Sequence, residues 1–85
     1  METYTTEIEF ETCLHDDSSI ELLARVVATY NIIENGFGIE YDLENISIYY
    51  RELDFTLEIR ELMRLTYEDI VKEANSELEA KLGII

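Results

Sequence analysis

Two short stretches of this chain alternate acid with apolar or β-prone residues. Over 5–14, Glu7, Glu9 and Glu11 interleave with Ile8 and Phe10. Over 37–44, Glu40, Asp42 and Glu44 interleave with Ile39, Tyr41 and Leu43. Alternation with period two is the signature of a half-buried strand, because successive side chains leave a strand on opposite faces. Each stretch is therefore expected to bury one face and hold three carboxylates in a row on the other. Carboxylates two residues apart on a strand stand roughly 6.5–7 Å apart. A row at that spacing loosely follows the outline of a nucleic-acid backbone, and it equally suits a basic protein surface.

The charge balance makes these rows stand out. Twenty acids against six bases give a net charge of −14. Residues 1–58 hold 14 acids against Arg25 and Arg51, whereas residues 59–85 hold six acids against four bases. Two carboxylates ~7 Å apart repel by about 0.6 kcal/mol in water and by several times that near a protein surface. A row of three thus costs on the order of 1 kcal/mol, against a total stability that is small in a short chain. Solubility needs only ~2–8 net charges. A solvated sheet face that uses charge to block edge pairing accounts for part of the excess. The remainder points to association with basic proteins, since such a field repels nucleic acid and anionic membranes.

The 85 residues fit one domain, 1–85, with a small core. An apolar share of 47% with three Gly and no Pro argues against disorder. A single cysteine, Cys13, has no internal partner for a disulfide, and the acidic N-terminus is unlike a signal peptide. No apolar run approaches the ~20 residues that cross a bilayer. These features lead us to expect a soluble cytoplasmic protein without membrane contact.

The expected order is β-α-β-β-β-α, an α+β fold with a four-stranded, largely antiparallel sheet and two helices on one face. Strand one covers 3–14, with Tyr4, Thr6, Ile8, Phe10, Thr12 and Leu14 inward. A capping box at Ser18 and Glu21 would start a helix over 19–34, whose stripe is Ile20, Leu23, Val27 and Tyr30. A hairpin turning at Glu34-Asn35-Gly36 is the competing assignment. Strand two spans 37–43, Glu44-Asn45 form a turn, and Ile46, Ile48 and Tyr50 mark strand three. Phe55, Leu57 and Ile59 mark strand four, with Glu58 and Arg60 outward, although helix formers over 49–65 compete. The second helix runs over 67–82 from an N-cap at Thr66 to a stop at Gly83, with Glu68–Lys72 and Glu77–Lys81 as i,i+4 pairs. Strand one would pair with strand two in parallel through a right-handed crossover.

No catalytic, cofactor or metal site emerges. Cys13, His15, Asp16 and Asp17 cluster, but no second Cys or His completes a zinc set. Ser18 and Ser19 beside His15 lack the spatial arrangement of a triad. Asp42-Leu43-Glu44 lacks the Gly and bidentate Glu of a calcium loop, and Gly36-Phe37-Gly38 is a turn rather than a phosphate cradle. Tyr30, Tyr41, Tyr50 and Tyr67 fall on core stripes, whereas Tyr49 falls outward beside the acids, where a tyrosine anchors an interface cheaply. The candidate contact set is therefore Glu7, Glu9, Glu11, Glu40, Asp42, Glu44, Tyr49, Glu52, Asp54 and Glu58.

In size, charge and lack of catalytic motifs the chain resembles small acidic phage-encoded inhibitors: anti-CRISPR proteins, anti-restriction proteins and uracil-DNA glycosylase inhibitors. The resemblance implies a nucleic-acid mimic acting in the host cytoplasm on a basic nucleic-acid-binding protein such as a nuclease. It would occlude the substrate groove without binding nucleic acid itself, and would be neither an enzyme nor cofactor-dependent. An immunity protein or antitoxin for a basic nuclease toxin is the nearest alternative. A third is an adaptor that binds through its helices, with Ile32, Ile84 and Ile85 at a seam between two copies.

Overall fold

The computed structural model describes residues 2–15 and 21–84. It is an α+β fold in the order β-β-β-β-α-α: β1 Glu2–His15, β2 Glu21–Asn35, β3 Gly38–Tyr50, β4 Leu53–Asp54, α1 Thr56–Leu62 and α2 Arg64–Leu82. The strands form one antiparallel meander in the spatial order β1-β2-β3-β4. The class and the four antiparallel strands match expectation; the order does not.

The largest correction lies at the expected first helix. That segment is the central strand β2, paired with β1 from Glu2↔Glu34 to His15↔Glu21, so no parallel crossover exists. Ser18 lies outside the described residues, and Glu21 opens β2 rather than a helix. The cause is central position. Ala24, Val26, Ala28, Tyr30 and Ile32 are fully buried at every second residue, while Val27 and Ile33 are half-buried on the opposite face. With apolar residues on both faces, the run satisfies a helical period as well as an alternating one. The β-branched residues and tyrosine in it favour the strand. Ile32, expected at a dimer seam, is in the core.

The expected turn at Glu44-Asn45 is a bulge. Thr29 pairs with Asn45 and Tyr30 with Leu43, leaving Glu44 as an extra residue in β3. A bulge shifts the alternation by one. Ile39, Tyr41 and Leu43 before it, and Ile46 and Ile48 after it, therefore all join the core side, and one strand reads as two in sequence. The competing hairpin is present but turns later than Glu34-Asn35-Gly36: Glu34 and Asn35 end β2, which joins β3 through Gly36-Phe37, and the Asn35 Oδ1 accepts the Phe37 N–H at 2.8 Å.

Strand four over 55–59 is also corrected. β4 has two residues, and 56–62 is α1, with Ile59 buried. The Asp54 carboxylate accepts the Thr56 N–H at 2.9 Å and the Thr56 hydroxyl at 2.5 Å. The Thr56 Oγ1 accepts the Ile48 N–H at 2.7 Å. This relay ends the sheet and starts the helix, and it satisfies donors a strand would have paired. The N-cap of α2 is Met63 rather than Thr66, and the helix carries the expected stripe, with Ile70, Ala74 and Leu78 buried. Gly83 closes it in the left-handed conformation at φ 74°. The expected i,i+4 pairs are replaced: Glu68 pairs with Arg64 at 3.6 Å, and Lys81 reaches β1. Among the described residues no helix is long and apolar enough to cross a membrane.

Candidate functional site

The sheet has a covered face and an open face. On β1 the even residues turn toward the helices, with Ile8 and Leu14 buried, so Glu7, Glu9 and Glu11 stand on the open face and are exposed. On β3, Asp42 lies opposite Asn31 and Glu40 opposite Ile33, also on the open face and exposed. Glu44 is exposed at the bulge.

Register decides how the two rows relate. Glu11, Glu9 and Glu7 lie opposite Arg25, Val27 and Thr29 of β2. Asp42 and Glu40 lie opposite Asn31 and Ile33, with Glu44 next to the Asn45↔Thr29 pair. The rows are therefore staggered. Acids climb β1 from the Arg25 level to the Thr29 level, cross β2 over a gap of about 10 Å, and continue up β3 to the Ile33 level. The path runs from the Arg25 to the Ile33 level of β2, eight steps or about 27 Å at a strand's rise of ~3.4 Å per residue. Between its arms β2 contributes Val27, Thr29 and Asn31, all half-buried. The corners beside the path are neutral, with Thr3 and Thr5 at one end and Ser47 and Tyr49 at the other.

Among the described residues one path acid is ion-paired. Arg25 donates from Nη1 to the Glu9 carboxylate at 2.9 Å, and its guanidinium lies 4.6 Å from the centre of the Tyr49 ring. The Glu9 hydrogen bond raises the affinity of Arg25 for its proton, against a smaller opposing effect of burial. Half-buried Tyr49 thus has the Arg25 guanidinium over its ring, and it borders the path.

Three of the remaining candidates sit apart. Glu52 lies in the β3–β4 turn and is exposed at φ 67°. Asp54 lies opposite Tyr49, but its carboxylate serves the Thr56 relay, whose hydrogen bonds hold it below the ordinary carboxylate range. Glu58 stands on the first turn of α1, not on a fourth strand beside Arg60.

Sequence reasoning did not identify the acids that α2 brings to β1. Glu73 accepts a hydrogen bond from the Thr12 hydroxyl at 2.8 Å, and Asp69 lies one helical turn before it. No periodicity within either element signals that approach, because the contact spans 61 residues. Cys13 is exposed beside it, and among the described residues no three His, Cys, Asp or Glu side chains converge as metal ligands. No protein-family model matches the chain, no curated protein is significantly similar to it, and no solved structure matches it.

Proposed function

We propose that the chain is a small acidic inhibitor that docks its open sheet face on the basic nucleic-acid-binding surface of a nuclease or related protein and blocks substrate access. The observation that carries this is the staggered line of Glu11, Glu9, Glu7, Glu44, Asp42 and Glu40, in which only Glu9 has an ion-pair partner among the described residues. Charges held on a sheet keep their spacing on binding, so little ordering cost offsets the attraction. The six carboxylates of this roughly 27 Å path cover the axial length of about eight phosphates of one B-DNA strand at ~3.4 Å each. Electrostatic steering would speed association, and contacts from Val27 and Tyr49 would slow release. The inhibitor would act in the cytoplasm, where such targets work.

One observation favours a second reading, an adaptor. Leu57, Leu62 and Leu65 are exposed on α1 and the start of α2 at 55%, 81% and 78%. An adaptor would use that surface and leave the acids as solubilising charge.

Capture on the immobilised chain at low and high salt, followed by competition with DNA and RNA for the captured protein, separates these functions. A decoy retains basic proteins at low salt, releases them at high salt and displaces their nucleic acid. Retention that ignores salt, or a captured protein that still binds nucleic acid, refutes the decoy. Glu7→Gln, Glu9→Gln and Glu11→Gln together should abolish capture. Loss of capture on Leu62→Ser and Leu65→Ser instead would establish the adaptor.

A further inference from the structure

The outer edge of β1 carries a second property of the same residues. In an antiparallel ladder the N–H and C=O of one residue point to the same neighbour, and successive residues alternate between the two sides. The Ile48 N–H donates to Thr56 and its C=O accepts from the Phe55 N–H at 2.8 Å, so Ile48 points away from β2. Its partner Val26 then points toward β1, and Phe10, opposite Val26, points back. The backbone groups of Glu7, Glu9, Glu11 and Cys13 are left facing outward, with no strand beyond them among the described residues. One of these is already occupied in a telling way: the Lys81 ammonium donates to the Glu7 carbonyl at 3.0 Å and to the Thr6 hydroxyl at 3.0 Å.

We propose that the β1 edge from Glu9 to Cys13 accepts an extended basic segment of the partner as an added antiparallel strand. This rests on the acidic-inhibitor reading and specifies how the partner is gripped. An added strand would form hydrogen-bonded pairs with Glu9 and Glu11, placing its side chains on the open face about 5.5 Å from theirs. Lys or Arg at those positions meets the two carboxylates directly. Its intervening side chains turn the other way, toward a cleft of about 270 Å³ between β1 and α2 that Thr12, Asp69 and Glu73 help to line. Basic residues fit there as well, so the edge selects positive charge on both faces of the incoming strand. Lys81, two helical turns beyond Glu73, is the intramolecular precedent: a cation seated on an edge carbonyl. A second copy of this chain is a poor occupant, because antiparallel β1–β1 pairing centred on Glu9 would set Glu9 against Glu9 and Glu7 against Glu11 of the other copy.

The test uses a ten-residue peptide of alternating Lys and Thr, titrated into the full ¹⁵N-labelled chain. The Glu9, Glu11 and Cys13 amides should gain at least about tenfold protection from hydrogen exchange, and those of Glu40 and Asp42 should not. Glu11→Pro removes a donor that only the incoming strand uses, and proline is tolerated at such an edge position. It should weaken the peptide at least about tenfold, about 1.4 kcal/mol, and more than Glu11→Gln does. Should Glu11→Pro not fold, protection in the unaltered chain still decides. Absent binding, binding without edge protection, or equal affinity for Glu11→Pro overturns the added strand. If the peptide binds without edge protection and is lost on Glu7→Gln, Glu9→Gln and Glu11→Gln together, the acidic face survives and only the edge fails. Edge protection with no displacement of nucleic acid from any basic protein sinks the inhibitor instead.

Discussion

The β3–β4 turn stores backbone strain that can be released without touching the core. Arg51 and Glu52 sit at φ 51° and 67°, between Tyr50 and its partner Leu53. Two positive φ values in a two-residue loop match the twist of a tight hairpin, which selects Asn-Gly or Gly-Gly. Side chains with a Cβ pay roughly 1–2 kcal/mol each in this left-handed region. Replacing both, as Arg51→Asn with Glu52→Gly, removes most of that. Two losses oppose it. The Arg51 guanidinium lies 5.3 Å from the Tyr50 ring centre, an exposed contact of about 0.5–1 kcal/mol. Glycine adds unfolded-state freedom of about 0.5–1 kcal/mol. The net gain is about 1 kcal/mol, which in a domain of this size raises Tm by about 4–8 °C. The pair of changes leaves the net charge at −14, so relief of repulsion does not contribute. Thermal melts at matched salt measure it directly, and chevron kinetics locate the effect in folding or unfolding. An unchanged or lowered Tm would show that the turn is not strained.

Three further outcomes follow from charge and titration. Burial, then the nearby Tyr41 and Glu79, push the Tyr30 phenol up to about 12. A raised folded value favours the protonated fold, so this stability is whole below about pH 10 and is lost as pH rises toward about 12. Denaturant titrations across that window should fall less steeply for Tyr30→Phe, which at neutral pH costs about 1 kcal/mol through its lost 2.6 Å hydrogen bond to Asn75. Asp54 behaves oppositely, because its lowered value favours the charged fold: its contribution is present above 3.8 and disappears as pH falls through the lowered folded value. Asp54→Asn should therefore flatten the acid limb of a stability–pH curve, and an unaltered limb would remove Asp54 from the relay's energetics. Finally, the acid rows repel, so Tm should climb between about 0.01 M and 0.15 M salt as the Debye length drops from roughly 30 Å to 8 Å. Glu7→Gln, Glu9→Gln and Glu11→Gln together should blunt that climb without lowering low-salt stability, as read by calorimetry.

Local chemistry alone set much of this protein. Alternation in β1 settled which residues face inward, because a strand has no other way to segregate Ile8 and Leu14 from Glu7, Glu9 and Glu11. The α2 stripe and its Gly83 stop were equally legible, since helical spacing and a left-handed cap are local properties. Two features depended on neighbours. β2 is apolar on both faces because it is central, and its apolar period alone does not distinguish that from a buried helix. The bulge at Glu44 shifted the alternation, which made one strand resemble two. The site divides along the same line. Sequence supplied the carboxylates and their spacing along each strand. Only cross-strand register staggered them into one path, bound Glu9 to Arg25, and brought Asp69 and Glu73 to the edge of β1, because those distances arise from pairings between residues far apart in the chain.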